Sequence, residues 1–454
     1  MVGTMEDSRA RSGEQTREAV EDAFRRATNA RDLGAFWRLG REGAVTRSEG
    51  VRRASAEAVA LAGMPVAVKD LLDVRGLPTT AGLPGEHPPA DADAEAVRRL
   101  RAAGAVPIGK TAMDPLACTT GGQAPGFPPC LNPVDARLSP GGSSSGSAVA
   151  VAAGIVPLAI GTDTAGSIRV PAAYTGIVGF KPAQRAVPRR GSVQVMPGFD
   201  TVGVLATGVP GCVAGYRALA SRIPRDGTDT GGGGAASLRT DAATPRVGVL
   251  SDLFRESNVE VAAACKVILS ALERLGVKLE PVELGWRAQG LGVALAWELA
   301  SVWGERVDAE PERFTPLIRD TVAFGRSRGS EGYAEAMSGI VRARARLRRR
   351  IAGLDAVVCP TVPIPAPDRD RESTSVSTRF TRIFSALGWP AFSIPADRDG
   401  EGRPIGIQVA APESRTEKLI AVAALVEEAA GADRHTYDDA SLGSWSDALE
   451  GREC

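Results

Sequence analysis

Three short segments contain the residue types that could do chemistry on a substrate. Residues 65–70 read PVAVKD, so that Lys69 ends an apolar run. Residues 139–147 read SPGGSSSGS, and residues 161–171 read GTDTAGSIRVP, with small residues just before Ser167. A serine hydroxyl becomes a nucleophile when a neighbouring base takes its proton. Hydroxyl, amine and backbone N–H groups of this kind could together support nucleophilic catalysis by a serine.

Each segment taken alone also has an ordinary structural interpretation. A lysine at the end of an apolar strand is usually exposed to solvent, and a Gly/Ser-rich run is usually a flexible loop. Residues 139–147, however, lie between apolar segments and lead directly into a helix. Such a junction presents backbone N–H groups that favour anions. A phosphate-binding P-loop is disfavoured, because no Gly-Lys-Ser/Thr follows the glycines.

The residues before Ser167 are small enough for a tight turn. Thr164, Ala165 and Gly166 follow a predicted buried strand, and their consecutive N–H groups could converge on one point as an oxyanion hole. The alternative is an ordinary turn in which Ser167 caps a helix. The segment alone does not decide between these two interpretations.

Histidine and cysteine are too sparse to support the commonest alternatives. Only His87 and His435 are present, the first in a proline-rich loop and the second near an acidic C-terminus. A Ser-His-Asp triad or a histidine-ligated metal site would have to use one of them. The six cysteines are scattered without CxxC spacing, which indicates reduced thiols, not disulfides or a zinc site. We therefore expect any catalytic base to be a different residue type.

Together, the three segments resemble the amidase signature family. Members of that family carry a Gly-Gly-Ser-Ser run, then Gly-Thr-Asp-x-Gly-Gly-Ser-Ile-Arg, and a lysine far upstream in a Pro-hydrophobic-Lys-Asp context. Ser167 lies 24 residues after Ser143, a separation that fits the family. The likeness covers roughly residues 20–430. Further matching segments are 104–111, 132–133, 179–182, 360–361, 380–381, 388–390 and 404–408.

The resemblance implies a role for each matching residue. Ser167 is expected to be the nucleophile that forms an acyl-enzyme, Ser143 the bridging serine and Lys69 the neutral base, in a Ser-cisSer-Lys triad. Asp163 and Arg169 are expected to support the loop structurally. No metal or organic cofactor is implied. The residues expected at the oxyanion hole or substrate-binding site are Thr164, Ala165, Gly166, Ser167 and Ala117.

The expected function is hydrolysis of a small carboxamide by an amidase. The alternatives are an acyltransferase or the glutaminase-type subunit of an amidotransferase, and a scaffold without catalysis. The amidotransferase signature usually reads Asp-Leu-Gly-Gly-Ser, where residues 163–167 here read Asp-Thr-Ala-Gly-Ser. Ala165 also departs from the glycine of many members, so the turn must accept a Cβ atom. The loop 119–130 is unlike that of familiar members, which leaves the substrate open.

Alternating strands and helices predict an α/β fold. The resemblance makes this more specific, as the amidase signature fold: a twisted mixed β-sheet core flanked by helices on both faces. We expect a disordered N-terminus over 1–15, the amidase signature domain over 16–430 and a C-terminal tail over 431–454. Within the domain we expect a Gly-rich insertion at 226–236 and a helical segment at 293–352. Helices are also predicted at 93–103, with Asp93 as N-cap, and at 143–153.

Composition gives no reason to expect nucleic acid or a membrane as a partner. Lys+Arg and Asp+Glu both total 54, so bulk charge gives no reason to expect nucleic acid. The polar N-terminus lacks a signal-peptide core, and the longest apolar stretch, 148–160, is too short to span a bilayer. We expect a cytoplasmic protein that binds a small-molecule amide and neither nucleic acid nor membrane. A homodimer is left open.

Overall fold

The computed structural model describes residues 13–41, 43–44, 61–220 and 244–431. Residues 1–12, the predicted Gly-rich insertion at 226–236, His435 and nearly all of the predicted tail lie outside these ranges. The expectations for those segments therefore stay predictions.

The described residues form one eleven-stranded mixed sheet in the order β1-β3-β2-β4-β6-β5-β10-β11-β9-β7-β8. Strands β3, β2 and β4 run parallel to one another, as do β9, β7 and β8, while the other neighbouring pairs are antiparallel. The predicted α/β class and mixed sheet are confirmed. The strands are β1 Phe36–Leu39, β2 Pro65–Lys69, β3 Val106–Thr111, β4 Leu158–Asp163, β5 Val178–Lys181, β6 Thr201–Ala206, β7 Arg246–Leu250, β8 Lys278–Val282, β9 Ala356–Pro360, β10 Ala391–Arg398 and β11 Pro404–Ala410.

Twelve α-helices in the described ranges flank this sheet, together with short 3-10 turns such as Pro115–Ala117. The segment predicted to be mostly helical, 293–352, consists of two long helices that pack on each other. The helices are α1 Gly13–Asn29, α2 Glu95–Ala102, α3 Ser145–Ala152, α4 Arg169–Thr175, α5 Val209–Leu219, α6 Ser251–Arg255, α7 Val259–Arg274, α8 Leu291–Ala309, α9 Pro316–Arg350, α10 Thr374–Ser377, α11 Thr381–Leu387 and α12 Thr416–Ala429. None of the helices in the described ranges has the length and apolar character needed to cross a membrane.

Two predicted helix starts are wrong. Helix α2 begins at Glu95 with Ala94 as N-cap, because the Asp93 carboxylate instead accepts hydrogen bonds from the Arg75 N–H and the Arg101 guanidinium. Helix α3 begins two residues later than predicted, at Ser145. Ser144, at φ −92° and ψ 44°, is not helical, so the residues before it belong to a separate loop.

Helix α3 packs unusually close to the sheet because its residues are small. The N–H of Gly146 donates a hydrogen bond of 3.0 Å to the carbonyl oxygen of Ala112, just beyond β3. A Cβ atom at Gly146 would overlap the carbonyl oxygen of Ala35 and the backbone nitrogen of Ala112. Backbone atoms cannot rotate away as a side chain can, so only glycine fits this position.

Replacing Gly146 by alanine should therefore lower the free energy of unfolding by about 1–3 kcal/mol, the usual effect of overpacking a core. Urea unfolding followed by circular dichroism measures it. Gly339→Ala in α9 is the matched control, because the nearest atom to a Cβ there is an Arg342 guanidinium nitrogen 4.0 Å away. The free energy of unfolding of the control should increase by about 0.5–1 kcal/mol, because alanine is favoured over glycine inside a helix by that amount. Equal stability of the two variants would contradict this account of the packing.

Candidate active site

The parallel pair β2 and β4 brings the first predicted residues together. Val68 is paired with Ile160, so the carboxyl ends of the two strands lie side by side. Lys69 is the last residue of β2, and Thr162 lies near the end of β4. The carboxyl ends of parallel strands are the usual place for a site in an α/β sheet, because the loops that follow them meet there.

Lys69 is completely buried and contacts two hydroxyl groups. Its Nζ donates to Ser143 Oγ and to Thr162 Oγ1, with both distances 2.8 Å. Ser143 is buried as well and follows a cis peptide bond to Gly142. The structure thus brings the predicted lysine and the predicted bridging serine into direct contact. No carboxylate of the described residues forms an ion pair with Lys69.

Burial lowers the pKa of Lys69 from 10.5 to about 7. Removing an ammonium group from water disfavours its charged form, and this effect dominates. The carboxylates of Asp114, Asp163 and Asp200 oppose it, since each of these negative charges raises the pKa. A substantial fraction of Lys69 is therefore unprotonated at neutral pH, as a base requires.

The turn that carries Ser167 is attached to the Ser143 loop through Ser144. The Ser144 N–H donates to the Ser167 carbonyl oxygen at 3.1 Å, and the Ser144 hydroxyl donates to the Thr162 carbonyl oxygen at 3.1 Å. These bonds place the segments of both predicted serines next to each other. Ser167 does not cap a helix, because α4 begins at Arg169 with Ile168 as its N-cap.

Four consecutive N–H groups in this turn have no acceptor among the described residues. They belong to Thr164, Ala165, Gly166 and Ser167, whereas the next N–H, that of Ile168, donates to Asp163 Oδ2 at 3.2 Å. Unpaired N–H groups are rare in a buried backbone. Ala165 has no positive φ and so accepts its Cβ atom, while Gly166 has φ 148°, which suits glycine. The turn is built to bind an anion or a polarised oxygen.

Asp163 and Arg169 form a fully buried ion pair behind this turn. Two nitrogens of Arg169 donate to the two carboxylate oxygens, at 2.8 and 2.9 Å. The remaining Arg169 nitrogen donates to the Thr381 carbonyl oxygen at 2.9 Å and to Gln408 Oε1 at 2.6 Å. Burial acts to raise the pKa of Asp163, but Arg169 and Lys181 hold it below its ordinary value. These contacts fit the expected supporting role of the pair.

Ala117, which is expected at the oxyanion hole or substrate-binding site, lies in a tight turn after β3. Its N–H donates to the Asp114 carbonyl oxygen at 2.9 Å in a tight turn, so it is not free to bind substrate. Leu116 and Ala117 both have positive φ, at 46° and 54°, which is uncommon without glycine. The expectation that Ala117 belongs to the oxyanion hole or substrate-binding site stays a prediction, in which its N–H is not an available donor.

Three residues near the site are missed by sequence reasoning. Thr162 looks like an ordinary member of a buried strand, the usual meaning of a β-branched residue there. Asp114 accepts from the N–H groups of Gly121 and Gly122, both at 3.0 Å, and so closes the substrate loop. Asp200 accepts the Thr164 hydroxyl at 2.7 Å. The sequence offers one sign that Asp114 belongs near the site: it follows the end of β3, much as Asp163 lies at the end of β4.

Histidine takes no part in this arrangement within the described ranges. The His87 ring lies 3.2 Å from the Leu83 carbonyl oxygen and next to the Arg313 guanidinium. No group of three or more His, Cys, Asp or Glu side chains among the described residues is placed to hold a metal ion.

Comparisons with known proteins place this chain in a family. The family model named Amidase matches residues 18–420. One of the subunits of glutamyl-tRNA(Gln) amidotransferase from Salinispora arenicola (strain CNS-205) is 33% identical, over 93% of this chain and 95% of the relative. A crystal structure of an amidase is 31% identical with a TM-score of 0.81, covering 91% of this chain and 96% of that one. A 6-aminohexanoate cyclic dimer hydrolase has a TM-score of 0.81 at 25% identity, covering 92% and 94%. The chain therefore belongs to the amidase family and has the amidase signature fold.

Proposed function

We propose that this protein is an amidase that hydrolyses the C–N bond of a small carboxamide through Ser167, Ser143 and Lys69. The observation that carries the proposal is the 2.8 Å hydrogen bond between the buried amine of Lys69 and the Ser143 hydroxyl, beside the turn with four unpaired N–H groups. A buried amine with a lowered pKa is an effective base, and preorganised N–H groups stabilise a developing oxyanion.

Acylation begins when the Ser167 hydroxyl oxygen attacks the carbonyl carbon of the amide. Ser143 accepts the proton of Ser167 and passes its own hydroxyl proton to Lys69 Nζ. The carbonyl oxygen becomes an oxyanion, which the N–H groups of residues 164–167 bind. Because these donors are fixed before the reaction, they need little reorganisation in the transition state.

Collapse of the tetrahedral intermediate needs a proton on the leaving nitrogen. Ser143 donates its proton to that nitrogen and recovers one from Lys69, so the C–N bond breaks and neutral ammonia or amine leaves. Water then attacks the acyl-enzyme, and its proton follows the same path to Lys69. When this second tetrahedral intermediate collapses, the bond to Ser167 breaks, Lys69 returns the proton through Ser143 to Ser167 Oγ, and the carboxylic acid leaves. Thr162 holds a second hydrogen bond to Lys69 Nζ and so orients the amine toward Ser143.

A glutaminase-type amidotransferase subunit is the second candidate, and the 33% identity to the glutamyl-tRNA(Gln) amidotransferase relative favours it. The same triad would then release ammonia from glutamine for a partner subunit. The sequence Asp-Thr-Ala-Gly-Ser at 163–167 and the similarity to a cyclic dimer hydrolase favour the independent amidase. Acyl transfer to an amine uses the same acyl-enzyme and differs only in the second nucleophile. A scaffold without catalysis is less favoured, because the sequence retains all three triad residues.

Ammonia release from a panel of primary amides, ureas, aryl amides and glutamine tests the proposal. We expect turnover of at least one small amide, and a loss of about a thousandfold or more in Ser167→Ala, as for nucleophiles of other serine hydrolases. A fluorophosphonate should label the wild-type chain at Ser167 and leave the variant unlabelled. Turnover of glutamine alone would favour the amidotransferase subunit. Folded protein that neither turns over any amide nor labels at Ser167 would refute the triad.

The rate at limiting substrate should rise with pH through a midpoint near 7. Below that pH, Lys69 is protonated and cannot accept a proton, so the rate should fall about tenfold per pH unit; above it, the neutral amine is fully present. Measurement of kcat/KM between about pH 5 and 9 gives the midpoint.

Lys181 provides the control for this pH profile, because burial lowers its pKa to about 7 as well. Its Nζ donates to the Pro182 carbonyl oxygen and to no serine. Lys181→Met should therefore keep the midpoint near 7, whereas Lys69→Met should abolish turnover at every pH. If the midpoint disappeared in Lys181→Met, the pH dependence would belong to Lys181 and not to Lys69, which would contradict the assignment of Lys69 as the base.

A further inference from the structure

The peptide group between Ala165 and Gly166 is held by a side chain from a distant part of the sequence. The Thr381 hydroxyl donates to the Ala165 carbonyl oxygen at 2.6 Å. Thr381 is completely buried and is the first residue of α11, more than two hundred residues further along the chain. Its hydroxyl does not cap its own helix, because Phe380 is the N-cap residue.

This contact determines the direction of the Gly166 N–H. The Ala165–Gly166 peptide is trans and planar, so its carbonyl and its N–H point in opposite directions. With the carbonyl bound to Thr381, the N–H must face away from the Thr381 hydroxyl. Rotation of the peptide would turn this N–H toward Thr381 and away from a substrate oxygen. Gly166 also gives little steric resistance to such a rotation, because glycine has no Cβ atom.

Other contacts fix the other parts of the turn. The Thr164 hydroxyl binds Asp200, the Ser167 carbonyl accepts from the Ser144 N–H, and the Ile168 N–H binds Asp163. Among the described residues, Thr381 alone binds the Ala165 carbonyl oxygen. Position 166 of the turn also requires glycine, since a Cβ atom there would overlap the Thr381 hydroxyl.

Thr381 is itself held in register with the turn. Its carbonyl oxygen accepts from Arg169 Nη1 at 2.9 Å, and the same guanidinium forms the buried ion pair with Asp163. The Arg169 guanidinium therefore holds both helix α11 and the turn in place. The Thr381 hydroxyl also lies 3.2 Å from the Thr378 carbonyl oxygen, a longer contact than that to Ala165.

We propose that Thr381 is a positioning residue for the oxyanion hole, whose hydroxyl holds the Gly166 N–H toward the oxygen of the substrate. This inference rests on the proposed function, because it assigns a purpose to N–H groups that the amidase mechanism uses. Among the described residues, Thr381 makes no hydrogen bond to Lys69, so its effect should fall on stabilisation of the transition state and not on the base.

Thr381→Val removes the donor and keeps the shape of the side chain, while Thr381→Ser keeps the donor. Loss of a single oxyanion donor typically costs a hundred- to thousandfold in kcat, so loss of its orientation should cost about ten- to a hundredfold. We expect that fall in kcat for ammonia release in Thr381→Val, with KM within about twofold and the pH midpoint unchanged. Labelling of Ser167 by a fluorophosphonate should slow similarly. Thr381→Ser should recover most of the wild-type rate.

Thr361→Val is the matched control, because Thr361 is also fully buried and its hydroxyl pairs with Ser393 at 2.9 Å, in β10. That variant should lose stability, as expected when a buried hydrogen bond is broken, but keep its kcat. If Thr381→Val does not fold, Thr381→Ala removes the same hydroxyl without adding a methyl group.

The outcomes separate this inference from the proposed function. Wild-type activity with equal kcat in Thr381→Val, or equal slowing in Thr381→Ser and Thr381→Val, would overturn the positioning role and leave the amidase intact. An equal fall in kcat in Thr361→Val would assign the effect to general stability and also overturn it. A wild-type chain without amide turnover or labelling would overturn both.

Discussion

The burial of Lys69 is the constraint on which the whole site depends. Two other lysines of the described residues are buried: Lys110 lies 2.7 Å from the Asp70 carboxylate, and Lys181, whose pKa burial also lowers to about 7, binds a backbone carbonyl. What distinguishes Lys69 is that its hydrogen-bond partners among the described residues are two hydroxyl groups, which do not fully repay the desolvation of an ammonium group and one of which belongs to Ser143. Its amine therefore loses its proton near neutral pH, and the strand that buries Lys69 creates the base.

The buried ion pair of Asp163 and Arg169 makes the site rigid. Asp163 and Arg169 are removed from solvent together, and every nitrogen of the guanidinium side chain finds an oxygen acceptor. Such pairs seldom add much net stability, but an unpaired partner would be very unfavourable. The pair therefore permits one arrangement of β4, α11 and β11 around the turn. A base and a set of N–H donors are useful only if their relative positions are fixed to a fraction of an ångström.

The same arrangement is compatible with several reactions of amides, because the acyl-enzyme does not depend on what attacks it next. Selection of the substrate must come from the residues around the triad. Helices α8 and α9 are joined to the core near the site, since Glu298 accepts from the Gly198 N–H at 2.7 Å and from the Tyr333 hydroxyl at 2.9 Å. Trp297 stacks on Tyr333 with ring centroids 4.2 Å apart. A shared fold does not determine a substrate, so differences in these helices between family members can change selectivity without changing the triad.

The sequence by itself was sufficient to predict the α/β class and the helical segment 293–352, because the periodicity of apolar residues reports burial directly. It also singled out the segments of Lys69, Ser143 and Ser167, each of which has an ordinary interpretation alone; only their joint resemblance to the amidase signature family assigned the triad roles, which stay a prediction. Local sequence did not reveal the contacts of Thr162, Asp200 or Thr381. Those contacts depend on which strands, turns and helices are neighbours in the fold, and they join residues up to 216 positions apart. Only the tertiary structure decides such contacts, because strand order is set by packing of the whole sheet and not by any local pattern.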